Sequence, residues 1–153
     1  MHYFEHPVAP PAARKAVQPL GFLAMDHVHE EFDRLLAGVG EGNVGHWVEL
    51  LAEINAHLRS HFELEDRWMV ETDFPPRDCH MDEHAAVLKS SCEVLALARE
   101  RDFSAAPSFF ASLADWFPEH ADHLDSALAA WMCKQRYGAK PVVIHRRQGA
   151  GAT

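Results

Sequence analysis

Histidines stand inside apolar stripes in this chain, and that constrains its fold more than any other feature. Four segments repeat apolar residues at i, i+3/i+4 and i+7, the pattern of a helix with one buried face. The first carries Phe22, Met25, His29, Phe32 and Leu36; the second carries Trp47, Leu51, Ile54, Leu58, His61, Glu65 and Trp68. The third holds His80, His84, Leu88, Ser91, Leu95 and Ala98; the fourth holds Phe109, Leu113, Trp116, His120, Leu124, Leu128 and Trp131. A single histidine on such a face is usually a core residue bonded to backbone. Five of them on four stripes each need a partner once buried, and one shared metal site satisfies all five together.

The punctuation between the stripes predicts their connections. Gly38, Gly40, Gly42 and Gly45 mark a loop after the first segment. Pro75-Pro76 stops the second, and the fourth ends near Gly138. No β-type alternation competes. The expected architecture is all-α: an up-down-up-down four-helix bundle over residues 19–137. An extended, proline-bearing N-terminal arm is expected over 1–18 and a C-terminal tail over 138–153.

At 153 residues the chain suits one domain with a sizeable core. Its net charge of −9 argues against nucleic acid or anionic membrane as partners. No apolar run has the length of a membrane-spanning helix. The N-terminus lacks a basic start followed by an apolar stretch. Cys79, Cys92 and Cys133, an odd number, read as reduced thiols. A cytoplasmic protein is the expectation.

Seven residues form the candidate ligand set: His29, His61, Glu65, His80, His84, His120 and Asp125. His61 and Glu65 are i, i+4, as are His80 and His84, so each pair faces one way on its helix. His120 and Asp125 are i, i+5, which a regular helix separates by about 140°. Either Asp125 reaches across to a second metal, or a local π-type turn narrows the angle. Pro118 either kinks the helix near His120 or is absorbed by a small bend. Intervals of 32 residues from His29 to His61, 15 from Glu65 to His80 and 36 from His84 to His120 each let the chain return to the same height.

Five imidazoles and two carboxylates suit a pair of iron ions. A zinc site needs about four ligands, and a one-iron oxygenase needs two histidines and a carboxylate. Ferritin-like diiron oxidases use Glu-x-x-His pairs, and this chain has none. More imidazole and less carboxylate stabilises high-valent iron poorly, so oxygen should be bound and returned rather than cleaved.

MDHVHEEF, HFELED, HMDEH and WFPEHADHLD resemble the four signature segments of the hemerythrins, and the resemblance runs from about Met25 to Trp131. It implies that His80, His84 and His120 bind one iron. His29 and His61 would bind the other, which keeps an open position. Glu65 and Asp125, with an oxo or hydroxo oxygen from solvent, would bridge the pair. The long His84–His120 interval is similar to that of bacterial members. Phe117 and Ala121 depart from the aliphatic residues that usually flank the oxygen pocket. Pro118 is also unexpected there, and the usual tryptophan-bearing N-terminal segment is not evident.

Other residues near the ligands have plainer readings. His57 reads as an outer partner or core residue rather than a ligand. Asp26, Asp82 and Asp122 read as solvated, with ring orientation as the alternative. His27, His46 and His123 fall off the stripes. His123 is the rival to Asp125, which is preferred because a bridge needs an anionic two-oxygen group. Cys79, beside His80, reads as a free thiol rather than a redox sensor, and the four tryptophans read as core.

The expected function is reversible dioxygen binding by a non-enzymatic diiron protein, with Trp116 and Phe117 walling the oxygen pocket. The alternative is a stress or repair protein that handles nitric oxide, peroxide or iron at the same centre. A sensor read by a separate, unknown protein partner is the other rival.

Overall fold

The computed structural model describes residues 17–40 and 43–138. The arm expected over 1–18 and the tail over 138–153 therefore lie almost wholly outside the described residues. Helix α1 spans Leu23–Gly38, and a short 3₁₀ turn at Val44–His46 leads into α2, Trp47–Glu71. Helix α3 spans Arg77–Arg99 and α4 spans Ala106–His120. A π turn at Ala121–Asp125 joins α4 to α5, Ser126–Tyr137, making one long fourth helix. The all-α four-helix bundle expected from the stripes is the fold found, with no strand among the described residues.

Local chemistry sets the ends of these helices. The Asp26 carboxylate accepts the backbone N–H groups of Leu20 at 2.8 Å and Gly21 at 3.0 Å, fastening the entry to α1. Its buried position, where a solvated one was expected, is thus explained by these two backbone donors and not by a ligand ring. At the end of α2 the Thr72 hydroxyl donates to the Trp68 carbonyl, and Asp73 takes a left-handed φ of 58°. Phe74 buries itself in that turn, and Pro75-Pro76 precede α3, where missing N–H groups cost nothing. Asp102 accepts both the N–H and the hydroxyl of Ser104 before α4. Gly138 closes α5 with a left-handed φ of 68° and donates to the Lys134 carbonyl.

These short connections hold neighbouring helices antiparallel, and α2 packs most extensively on α3. The core is in two parts. One cluster includes Phe32, Leu51, Ile54, Leu58, Phe62, Val94, Leu113 and Phe117. The other includes Phe22, Met25, Trp68, Met69, Phe74, Leu128 and Met132. On α2 the order is Leu58, His61, Glu65, Trp68; on the fourth helix it is Phe117, His120, Asp125, Leu128. The candidate ligands therefore form a polar layer between two apolar ones.

Candidate metal centre

All seven candidate residues are buried, and Glu65 and Asp125 are wholly inaccessible. They fall into two groups that share one member: His80, His84, His120 and Asp125, and His29, His61, Glu65 and Asp125. Within each group the donor atoms all lie within 4.8 Å of one another. The structure thus brings together all seven residues of the candidate ligand set.

Every ring presents its Nε2 to the interior. His120 Nε2 lies 3.2 Å from His80 Nε2 and 3.1 Å from His84 Nε2. Asp125 places Oδ1 at 3.0 Å from both His80 Nε2 and His120 Nε2, and Oδ2 at 2.9 Å from His29 Nε2. Its two oxygens therefore serve different groups. Glu65 Oε2 lies 2.8 Å from His61 Nε2 and 4.0 Å from His84 Nε2, between the same two groups.

The approaches that involve the two carboxylates are poorly directed as hydrogen bonds. Both oxygens of Glu65 and of Asp125, and Nε2 of His29 and His61, make no hydrogen bond of good geometry. Buried polar atoms seldom remain so. Two donors bound at about 2.1 Å to one ion, at right angles, sit about 3.0 Å apart. The observed spacings match, and the donor set fits two metal ions with Asp125 shared.

The π turn solves the i, i+5 problem. A regular helix would turn Asp125 away from His120. The wider turn at Ala121–Asp125, in which the Ser126 N–H reaches back to the Ala121 carbonyl, realigns them. Pro118 sits buried within α4 just before this turn, where it leaves the Ala114 carbonyl without its usual donor. His123 is exposed and meets Glu119 at 3.1 Å, away from the buried layer.

Electrostatics in the metal-free chain follow from burial. Burial and the neighbouring Asp125 push Glu65 well above the ordinary carboxylate range. Burial would raise Asp125 too, but the rings of His120, His29 and His80 outweigh it and hold it well below that range. Burial lowers His61 strongly, and lowers His84 despite the opposing Asp66. For His120 burial is overcome by Asp125 and Glu83, so its value rises.

The outward ring nitrogens reveal two residues that sequence reasoning missed. His84 Nδ1 meets Asp66 Oδ1 at 2.7 Å. His120 Nδ1 meets Glu83 Oε1 at 2.9 Å, and the Trp116 indole N–H donates to the same oxygen at 2.7 Å. The available signal was position: Asp66 and Glu83 each adjoin a candidate ligand, while Asp82 and Asp26 stand two and three residues from one. Only the packing between helices separates the partners from the others, and Asp82 and Asp122 are exposed.

Trp116 and Phe117 part company, because successive residues on a helix point about 100° apart. Trp116 lies against His120, ring centroids 4.4 Å apart, on the three-histidine side. Phe117 sits edge-on to His29 at 5.2 Å and to Phe32 at 4.6 Å, on the two-histidine side. His57 stacks on Phe32 at 5.2 Å and meets the His61 ring at 5.7 Å, close to the layer but outside both donor groups.

Comparison with known proteins agrees with this geometry. Residues 20–132 match the family model of the hemerythrin HHE cation-binding domain. The chain is 34% identical over 116 residues to a bacteriohemerythrin of Ralstonia nicotianae, covering 76% of this chain and 85% of that protein. No solved structure matches significantly. With its four helices, its buried imidazole layer and a family match over most of its length, the chain belongs to the hemerythrin HHE cation-binding family.

Proposed function

We propose that this chain is a non-haem diiron protein that binds dioxygen reversibly, as a carrier, store or sensor rather than an enzyme. The supporting observation is the uneven share of imidazoles, three against two, among seven buried donor residues arranged about one shared carboxylate. His80, His84 and His120 would hold one iron and His29 and His61 the other, with Asp125 and Glu65 between the two. The second iron would have one imidazole fewer and so keep room for a small ligand. A bound diferrous pair would supply two reducing equivalents to such a ligand.

The chain's own residues supply the rest. The scarcity of carboxylate withholds the anionic donation that oxygen cleavage requires. Phe117 and Phe32, fully buried, present ring surface on the two-histidine side and exclude water there. Exclusion of water slows proton delivery and loss of the ligand. No helix among the described residues is long and apolar enough to cross a membrane.

The test is metal analysis with visible spectra after anaerobic reduction and again after adding oxygen. Two irons per chain, and a charge-transfer band that appears with oxygen and fades on its removal, are expected. Oxidation without a reversible band would overturn the reading and favour chemistry on nitric oxide, peroxide or iron itself.

A further inference from the structure

The outward faces of the five imidazoles are treated very differently. In the three-histidine group, two rings are backed by carboxylates: His84 by Asp66 at 2.7 Å and His120 by Glu83 at 2.9 Å. Both rings are also clamped by aromatic faces. Phe62 stacks on His84 with centroids 4.1 Å apart and planes 8° apart, and Trp116 lies over His120. In the two-histidine group neither ring has such support. His29 Nδ1 and His61 Nδ1 are buried and make no hydrogen bond among the described residues, a lack that in the three-histidine group His80 Nδ1 alone shares. A small cavity of about 40 Å³ adjoins His29, lined also by Gln18, Glu30 and Asp33. It has room for about one water, a weaker acceptor than a carboxylate.

An imidazole that donates its outer N–H to a carboxylate becomes a stronger base at its inner nitrogen, and its ring is already oriented. Such a ring loses less freedom when an ion arrives. Glu83 is itself held, because the Trp116 indole N–H donates to the oxygen that receives the His120 proton. Asp125 belongs to both groups, so occupancy of one half fixes a donor needed by the other.

Resting on the two-metal reading above, we propose that the halves fill in order: His80, His84 and His120 take the first ion tightly, and His29 and His61 take the second ion weakly. Glu83 is the positioning residue that sets this order, and Trp116 steadies it. The second ion is accordingly the one that exchanges with the surrounding metal pool.

The test uses the full chain, stripped by chelation and titrated with cobalt(II) alone, with visible absorption and chelator competition resolving each step. Two equivalents in two steps are expected, with the tight step surviving in His29→Gln and lost in His120→Gln. Glu83→Gln should weaken the tight step by about 10- to 100-fold and leave the weak step unmoved. Trp116→Phe leaves a smaller aromatic ring beside His120, removes one donor from Glu83, and should weaken the same step by less. A merely structural defect would weaken both steps alike, and that result in both variants would overturn the proposal. So would uptake in one unresolved step, or loss of the tight step in His29→Gln. Fewer than two equivalents in the unaltered protein would instead overturn the two-metal reading itself.

Discussion

Glu65 illustrates how a residue serves a ligand at the expense of the empty fold. Its carboxyl is wholly buried and held toward the neutral form by burial and by Asp125. A glutamine has nearly the same shape and no charge to desolvate. Glu65→Gln should therefore leave the metal-free protein as stable as before, or more so, at neutral pH. The same change removes an anionic donor between the two halves, so iron content should fall from two per chain to one or fewer. Denaturant midpoints of the stripped proteins beside iron analysis of the loaded ones check both halves of the prediction. Retention of two irons would sink the bridging role.

At the scale of elements, the fourth helix is the informative one. Its apolar faces before and after the site align only because five residues, Ala121–Asp125, complete a single turn. A π turn of this kind is an α-helix with one extra residue. Deleting the exposed His123 should convert it to regular helix and keep Phe117 and Leu128 facing the core. Helix content and melting temperature should hold or rise, while the Asp125 carboxylate shifts and metal affinity drops. A large fall in melting temperature would show instead that the wide turn is needed for packing.

Helix positions were legible in the sequence because each stripe follows the helical period and each end carries its own breaker, from Pro75-Pro76 to Gly138. The ligands were legible because histidine is conspicuous on an apolar face. The choice between a long reach by Asp125 and a π turn was not, since both obey the same spacing. Nor were Asp66 and Glu83 separable from Asp82 and Asp26. Those assignments depend on how one helix is rotated against its neighbour, which is fixed by side-chain packing across the core.

For the whole molecule, the polar layer divides the apolar core into two clusters. Without metal that layer is a set of buried groups with unmet demands; with metal it ties all four helices together. A ligand present at about 1,000 times its dissociation constant adds about 4 kcal/mol to stability. In a domain of this size that corresponds to roughly 8–16 °C in melting temperature. Chelation should lower the melting temperature by about this amount, as calorimetry would show; an unchanged value would mean the fold does not use the metal.

Acid should act on the metal-free molecule in a defined direction. His61, His84 and His57 are held below the ordinary imidazole value, chiefly by burial. Below about pH 6.5 the unfolded chain binds more protons at these three than the folded chain does, so stability falls as pH falls. Glu65, held high, works the other way between its ordinary value and its raised one. His120, also raised, gives a slope only above about pH 6.5. Three groups outweigh one, and the urea midpoint of the stripped protein should drop between pH 6.5 and 5. A midpoint that rises across this interval would contradict the balance.

Asp125 is the last donor in chain order and the only one common to both groups. A polypeptide emerges from the ribosome with its N-terminus leading, so His29, His61, Glu65, His80 and His84 all appear while Asp125 is still unmade. Until it appears, neither group can be complete, however long the earlier histidines wait. Synthesis thereby sets its own timing for metal capture. A chain released early carries imidazoles but no finished cage, and the mature cage closes only when the fourth helix arrives to complete the bundle.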